Sequence, residues 1–258
     1  MPAQNPPSSL SHSQVELYQT CPAAWNFLYL RRLPRLKGRA GTLGTALHRV
    51  IEAAYRGWMF TGTRRQIFPE LFGRDGDLES ALKLSGAAAT REDLAGCRTA
   101  LANLCRLSEG VFDPDTTVQV EYRFDMALEG LSVPVIGYID RIDLVGPFGL
   151  KVVDYKTGRR EPDDEMLTTT FKQLGLYAIV AALLYSAEGP VTAELWHLRS
   201  GKTWSRDLSA DDRKRVEVEF ARLGTEMHMA ETFPYELGGH CVWCEAREHC
   251  PAFAQMKM

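Results

Sequence analysis

The sequence predicts an α/β (α+β) protein with a central mixed β-sheet flanked by helices. Two observations favour that class: the periodic segments follow the order helices, strands, helix, strands, helix, and neither repeats nor a long linker interrupt them. The 258 residues, 45% hydrophobic and 24% charged, suffice for a substantial core. We expect one domain over 1–258, with a helical N-terminal part (1–60), a helical insertion (61–112), a core (113–208) and a C-terminal helix with a tail (209–258).

The N-terminal half is predicted to be helical. Ser13-Gln-Val-Glu16 fits a capping box that opens the first helix. Helical spacing predicts further helices over 23–30, 42–55 and 91–108, whereas 61–90 carry no clear signal. Between two of these helices lies a basic segment with no acid, formed by Arg31, Arg32, Arg35, Lys37 and Arg39.

The second half alternates strands with helices. Strands are predicted over 117–127, 133–145 and 150–155, with a hairpin turn at Glu129-Gly130 between the first two. A long helix over 165–186 precedes strands 192–199 and 203–208, which meet at Ser200-Gly201. A charged helix over 209–229, capped by Ser209 or Asp211, leads into a Gly- and Cys-rich tail.

The composition excludes several classes of protein. A net charge of −3 argues against a wholly basic nucleic-acid coat, although a local basic channel is compatible with it. No apolar run approaches the length of a membrane span, and the N-terminal residues lack the pattern of a secretory signal. We therefore expect a cytoplasmic protein without a membrane partner, whose six cysteines stay reduced.

Two aspartates interrupt apolar strand patterns. Asp140 shares one strand face with Ile136 and Ile142, where an unpaired carboxylate is costly, so it should meet a cation, a base or water. A buried salt bridge is the alternative for Asp140. Asp143 lies on the opposite face with Arg141 and is expected to be a surface acid or an ion-pair partner.

A second acid ends the next strand. Asp154 and Lys156 share one face of the strand in Gly149-Leu-Lys-Val-Val-Asp-Tyr-Lys-Thr-Gly158, and hairpin pairing would bring Asp154 close to Asp140. Adjacent carboxylates favour Mg²⁺ or Mn²⁺ over zinc. Taken alone, the Asp154/Lys156 pair also fits a plain surface ion pair.

Three further residues are candidates on helices. His48 is a lone helical histidine, which is more often structural or exposed than a ligand. Gln173 and Tyr177 are four residues apart on one helix face. These two side chains could hold a phosphate or a base, or they could belong to a polar stripe on a surface helix.

The cysteines fall into two groups. Cys97 and Cys105 lie on an apolar helix face and are expected in the core. Cys241, Cys244 and Cys250 lie within ten residues and predict a metal site that lacks its fourth ligand. His240, His249 and Cys21 are the candidates: a histidine would make a zinc site, whereas Cys21 would give zinc or a [4Fe–4S] cluster.

Six short motifs, in order, resemble the RecB-type branch of the PD-(D/E)XK nuclease superfamily, specifically its iron–sulfur members. That branch includes AddB-type nuclease domains and CRISPR-associated adaptation nucleases. The motifs are Cys21-Pro22, Gly44-Thr-Ala-Leu-His48, Gly137-Tyr-Ile-Asp140, Asp154-Tyr-Lys156-Thr-Gly, Gln173-Leu-Gly-Leu-Tyr177 and the cysteine trio. Ile139 replaces the proline of the first acidic motif, the second acid is Asp rather than Glu, and no helicase motif is present.

The resemblance implies a restriction-endonuclease-like core and a metal-dependent DNA nuclease. By it, His48, Asp140, Asp154 and the Tyr155 carbonyl bind Mg²⁺ or Mn²⁺, and Lys156 orients the attacking water. Gln173, Tyr177 and the basic segment would position the DNA. Cys21, Cys241, Cys244 and Cys250 would bind a [4Fe–4S] cluster that joins the N- and C-terminal segments.

The expected substrate is single-stranded DNA or duplex ends and overhangs, cut by an exonuclease in DNA repair, recombination or CRISPR adaptation. A helicase or a CRISPR integrase is a possible protein partner. Two alternatives remain: a DNA-binding or scaffold iron–sulfur subunit that does not cut, and a zinc-tail protein with an unrelated enzymatic core.

Overall fold

The computed structural model describes residues 7–36, 39–70, 72, 78–84, 90–147 and 149–256. The chain divides into two compact units. The first comprises Met1–Gly38, Phe124–Gly137 and Lys214–Met258, and the second comprises Arg39–Arg123 and Tyr138–Arg213. Each unit has a buried apolar cluster of its own.

The helices of the described residues are numbered in chain order. They are α1 (His12–Thr20), α2 (Pro22–Trp25, followed by a π-helical turn at Asn26–Leu30), α3 (Arg39–Thr61), α4 (Leu78–Leu84), α5 (Arg91–Leu107), α6 (Asp164–Leu184), α7 (Ala210–Met229) and α8 (Pro251–Met256). Short 3₁₀ turns lie at Gly239–Trp243 and Arg247–His249.

The strands form two sheets. β1 (Arg65–Gln66) and β2 (Val111–Phe112) make a small antiparallel pair. β3 (Thr117–Met126), β4 (Val135–Val145), β5 (Gly149–Lys156), β6 (Val191–His197) and β7 (Lys202–Leu208) form a five-stranded sheet in that order. β5 runs parallel to β6 and antiparallel to β4, which makes the sheet mixed as predicted.

Helix α6 forms the crossover between the parallel strands and packs against both of them. On the same unit, rings from α3 fill the core: Tyr55 and Trp58 lie with ring centroids 5.3 Å apart, and Phe112 of β2 lies 5.3 Å from Tyr55. These buried rings fix α3, because large aromatic side chains supply most of the apolar area in such a core.

The predicted order of elements is confirmed, but several ends differ. Ser11 rather than Ser13 caps α1, since its Oγ accepts the Gln14 N–H at 3.3 Å. Ser209 rather than Asp211 caps α7, because its Oγ accepts the Asp212 N–H at 3.1 Å. Strand β1 and helix α4 form within 61–90, although no periodic signal marks them.

Helix α6 corrects one expectation. It is long and apolar enough to cross a membrane by length and composition, so the prediction that no such run exists is wrong. Buried residues make up 61% of its apolar stretch. That burial is typical of a core helix against a sheet, where both sides of the helix meet protein.

Candidate functional site

His48 of α3 lies between two carboxylates and a backbone carbonyl. Its Nδ1 is 3.2 Å from Glu121 Oε1 and 3.4 Å from Asp140 Oδ1, and its Nε2 is 3.1 Å from the Tyr155 carbonyl oxygen. Burial alone would lower the pKa of His48, but the carboxylates of Asp140 and Glu121 raise that pKa well above its usual value. Both ring nitrogens of His48 therefore face oxygen atoms that can accept a hydrogen bond.

One imidazole and two carboxylates make a set of donors suited to a divalent cation. Ligand atoms of His48, Glu121 and Asp140 all lie within 4.8 Å of one another. Within the described part of the chain, this is the group of three potential metal-ligating residues whose ligand atoms lie this close together. Carboxylate oxygens with one imidazole fit Mg²⁺ or Mn²⁺.

Glu121 of β3 belongs to this group although its sequence pattern did not mark it. Its φ of 45° puts it in the left-handed region, which is rare for a non-glycine residue inside a strand. The Arg56 guanidinium donates a hydrogen bond to its carbonyl oxygen at 3.3 Å. The sequence signal that existed was an acid in the strand preceding the one that bears Asp140.

Asp140 joins the imidazole to the neighbouring strand. Its Oδ2 accepts the Tyr155 N–H at 2.6 Å, while its Oδ1 faces His48. Strands β4 and β5 pair antiparallel, with Arg141 opposite Val153. The predicted hairpin pairing is therefore confirmed, and Asp140 and Asp154 each lie one residue beyond this pair.

Asp154 is buried and forms a second, separate polar group. The Lys156 Nζ lies 2.9 Å from its Oδ2, although this oxygen accepts no hydrogen bond of standard geometry within the described residues. Asp154 is not among the three clustered residues His48, Glu121 and Asp140.

Helix α6 also contacts Lys156, through Gln173. Lys156 Nζ donates to Gln173 Oε1 at 3.3 Å, and Gln173 Nε2 donates to the Tyr177 hydroxyl at 2.8 Å. Tyr177 is 6% exposed, and its burial, with the charge of Asp154, raises its pKa. A polar surface stripe is thus the wrong interpretation for Tyr177, which anchors a chain of contacts to Lys156.

The reverse face of the sheet carries a buried ion pair that was not expected to be buried. Asp143 is 0% exposed and accepts hydrogen bonds from Arg141 Nε at 2.6 Å and from Thr117 Oγ1 at 2.9 Å. Lys151 Nζ lies 3.5 Å from its other oxygen. The surface interpretation of Asp143 is wrong, and the ion-pair interpretation is confirmed.

The four tail-site cysteines meet in one pocket of the first unit. Cys21, Cys241, Cys244 and Cys250 all line it, together with apolar side chains that include Phe27 and Ala246. Burial raises the pKa of the Cys244 thiol, with smaller contributions from the other three cysteines. The structure thus brings Cys21 to the three tail cysteines, which lie about 220 or more positions away in the sequence.

The histidines of the tail have other partners. His249 Nε2 is 2.8 Å from the Pro34 carbonyl oxygen, and His240 Nε2 is 3.0 Å from the Glu236 carbonyl oxygen. Both His240 and Cys21 line the pocket of the cysteine trio, and His240 Nε2 also lies 3.8 Å from Cys241 Sγ. The geometry therefore leaves both residues as candidates for the fourth ligand. The cysteines Cys97 and Cys105 are buried in the core as predicted.

The basic segment lies partly within the described residues. Arg31 and Arg32 are exposed, and Arg35 donates a hydrogen bond to Glu245 at 3.0 Å while its guanidinium covers the Tyr29 ring at 4.4 Å. Lys37 lies outside the described residues, and for Arg39 only the backbone, the first residue of α3, is described.

Comparison with known proteins gives a family, two relatives and a fold. The family model for the PD-(D/E)XK nuclease superfamily matches residues 9–251. The Gene 69 protein of Mycobacterium phage D29 is 32% identical over 145 residues, which are 54% of this chain and 50% of that protein. The Gene 69 protein of phage L5 is 29% identical over 139 residues, 52% of this chain and 44% of that protein.

The chain thus spans about half the length of the curated relatives that it matches. Among solved structures, a protein from Eubacterium rectale named as a candidate exonuclease superposes with a TM-score of 0.55. The match covers 94% of this chain and 88% of that chain at 12% identity, so it shows a shared fold alone.

Proposed function

Since the chain belongs to the PD-(D/E)XK nuclease superfamily, we propose that it is a DNA nuclease that depends on Mg²⁺ or Mn²⁺ and cuts single strands from their ends. The observation that carries the proposal is the close group of His48, Glu121 and Asp140 beside the Asp154–Lys156 pair. The name of the Eubacterium rectale protein favours an exonuclease over an endonuclease.

The residues of the site have two proposed roles: some bind the cation, and others stabilise charge on the phosphate. His48, Glu121 and Asp140 would hold the cation. The Tyr155 carbonyl, which faces the other ring nitrogen of His48, remains a proposed ligand by resemblance. A cation bound there supplies Lewis-acid stabilisation of the phosphate and a more acidic water. Asp154 remains a proposed ligand by resemblance, in a place where its Oδ2 lies 2.9 Å from Lys156 Nζ.

Lys156 is proposed to orient the attacking water and to stabilise the negative charge that develops on the phosphate. Its ammonium is held from two sides, by Asp154 at 2.9 Å and by Gln173 at 3.3 Å. A lysine fixed in this way loses little freedom when the transition state forms, because its position is already set. Gln173 and Tyr177 then position the lysine as well as the DNA.

End-labelled DNA tests this proposal. Wild-type protein is incubated with single-stranded and duplex DNA, labelled at the 5′ or the 3′ end, with Mg²⁺, Mn²⁺ or a chelator. Lys156→Ala should lose at least about 10²-fold in rate, as expected for removal of a charge-stabilising donor. Lys172→Ala is the matched control, since it removes an exposed lysine one residue before Gln173.

Cutting by wild type and by the Lys172 variant, but not by the Lys156 variant or in chelator, supports the nuclease. If no variant cuts any substrate while all bind DNA, the non-cutting scaffold subunit becomes the better proposal. The label that is released first gives the polarity. DNA repair, phage recombination, CRISPR adaptation, a helicase or integrase partner and a cytoplasmic location remain predictions from the resemblance and the composition.

A [4Fe–4S] cluster, as in the iron–sulfur RecB-type branch, is proposed for Cys21, Cys241, Cys244 and Cys250. What supports the proposal is that all four cysteines line one pocket of the first unit, which supplies the four thiolates that such a cluster needs.

Metal analysis of anaerobically purified protein tests the cluster. Iron and sulfide in equal amounts support it, and zinc without sulfide supports the zinc-tail alternative. Cys21→Ser should lose iron, whereas Cys97→Ser, which alters a buried core cysteine, should retain it.

A further inference from the structure

Two exposed side chains lie further along β3 and β4 than the proposed metal-ligand group, which is formed by His48, Glu121 and Asp140. Tyr138 is 54% exposed and lies two residues before Asp140, so both side chains point to the same face of the strand. Arg123 is exposed and lies two residues after Glu121 on the paired strand. On β4, alternation therefore continues the face that carries Asp140 with the phenol ring of Tyr138.

The register of the two strands places these side chains opposite each other. The Phe124 ring of β3 lies against Gly137 of β4, where a Cβ atom would come within 2.5 Å of it, so these two residues are opposed across the strand pair. One step along each antiparallel strand then pairs Arg123 with Tyr138. Directly opposed residues on one face lie about 5 Å apart at their Cβ atoms.

We propose that Arg123 and Tyr138 form a nucleotide-holding pair for one unpaired nucleotide of a DNA strand that enters the metal-ligand group. The guanidinium would contact the phosphate and the ring would stack on the base, as aromatic and arginine side chains do in proteins that bind single strands. This inference rests on the proposed nuclease function and names the form of DNA that the site accepts.

The spacing supports an occupant of this kind. Two residues of a strand span about 6.6 Å, which is comparable to one extended nucleotide, so a base on Tyr138 leaves the adjoining phosphate beside Asp140. A base must be unpaired and unstacked to lie on the ring, so the pair selects single strands and frayed ends over intact duplex. Stacking also tolerates any base, which suits a nuclease without sequence readout.

Binding in Ca²⁺, measured by fluorescence anisotropy with labelled oligothymidylate, tests the pair without relying on cleavage. Tyr138→Ala should weaken binding about 10-fold, within the range of one base–aromatic stack, and Tyr138→Phe should restore it. Phe60→Ala is the matched control because Phe60 is 94% exposed on the same unit, and it should bind as wild type does. Circular dichroism checks that each variant is folded.

An abasic substrate makes the test specific to stacking. When the base is removed at successive positions of the oligonucleotide, one position should weaken the wild type and leave Tyr138→Ala unchanged. Arg123→Gln should reduce the slope of log affinity against log salt by about 0.7, the value for one phosphate of a single strand, and Arg123→Lys should keep that slope.

The pair is overturned if Tyr138→Ala binds within twofold of wild type, or if no abasic position separates the two proteins. Failure of the nuclease proposal has a different signature. In that case the binding differences appear as expected, but neither Mg²⁺ nor Mn²⁺ produces cleavage. Normal cleavage with unaltered binding by Tyr138→Ala would remove the pair and leave the nuclease.

Discussion

Glu121 is the residue that most alters the expected metal site. Its carboxylate lies 3.2 Å from His48 Nδ1, closer to the imidazole than Asp140 at 3.4 Å. An acid held in the left-handed region by its surroundings is a form of backbone strain, and such strain is common at functional sites. Its geometry therefore makes Glu121 a candidate ligand on the same footing as Asp140.

Glu121→Gln is expected to raise the Mn²⁺ concentration for half-maximal cleavage by at least about 10-fold. Loss of a residue that only supports a metal ligand already costs about 10-fold or more in metal affinity, so loss of a ligand should cost at least as much. The amide keeps the shape of the side chain but not its charge. Asp125→Asn, an exposed acid four residues along β3, serves as the control and should change that concentration by less than twofold. An equal shift in both variants would indicate a general loss of negative charge.

Single residues also show what the sequence can and cannot reveal. Asp140, Asp154 and Lys156 are recognisable because they break apolar strand patterns, and the structure places Asp140 and Asp154 on paired strands, each one residue beyond the pair of Arg141 and Val153. Glu121 breaks no pattern, since its strand alternates polar and apolar residues anyway. Its φ of 45° follows from tertiary contacts such as that with Arg56, which no local pattern encodes.

At the scale of elements, β4 shows why alternation misplaced Asp143. Alternation assigns residues to two faces but does not say whether a face is covered. Ile142 and Asp143 are both 0% exposed, so both faces of β4 are covered at this point. A charge in such a place requires partners, and Arg141 provides one while its guanidinium lies 5.3 Å from the Trp196 ring centroid.

Arg141→Met is expected to lower the free energy of unfolding by about 3–5 kcal/mol, because it leaves a buried carboxylate without its main partner. The double variant Arg141→Met/Asp143→Leu should be less destabilised than Arg141→Met alone, since no buried charge remains unpaired. Urea denaturation measures both. Arg98→Met, on the exposed side of α5, should stay within about 0.5 kcal/mol of wild type.

The basic segment between the π-helical turn and α3 yields a prediction about salt. Arg31→Gln and Arg32→Gln should each reduce the slope of log DNA affinity against log salt by about 0.7. Arg35→Gln should change the slope less, because its guanidinium already pairs with Glu245 at 3.0 Å. If all three variants keep the wild-type slope, the segment does not contact phosphates.

At the scale of the whole molecule, the cysteine pocket joins distant parts of the sequence within one unit. Cys21 follows α1, and Cys241, Cys244 and Cys250 lie after α7, so a shared metal group would close a loop of about 220 residues. In the chain-entropy description, closing a loop of that length raises the free energy of the unfolded chain by about 5 kcal/mol, because it removes conformational entropy. A metal bound only by the folded chain adds its own binding free energy to folding.

Cys21→Ser therefore should lose both iron and stability, and the stability should fall even at metal-saturating conditions, since the loop is no longer closed. Thermal unfolding and iron analysis of the same preparations measure the two losses together. Cys97→Ser changes a buried cysteine that lies outside the pocket, so it should lose packing energy while it keeps its iron. If Cys21→Ser retains iron and unfolds at the wild-type temperature, the pocket neither binds through Cys21 nor closes the chain, and the cysteine trio must find its fourth ligand elsewhere.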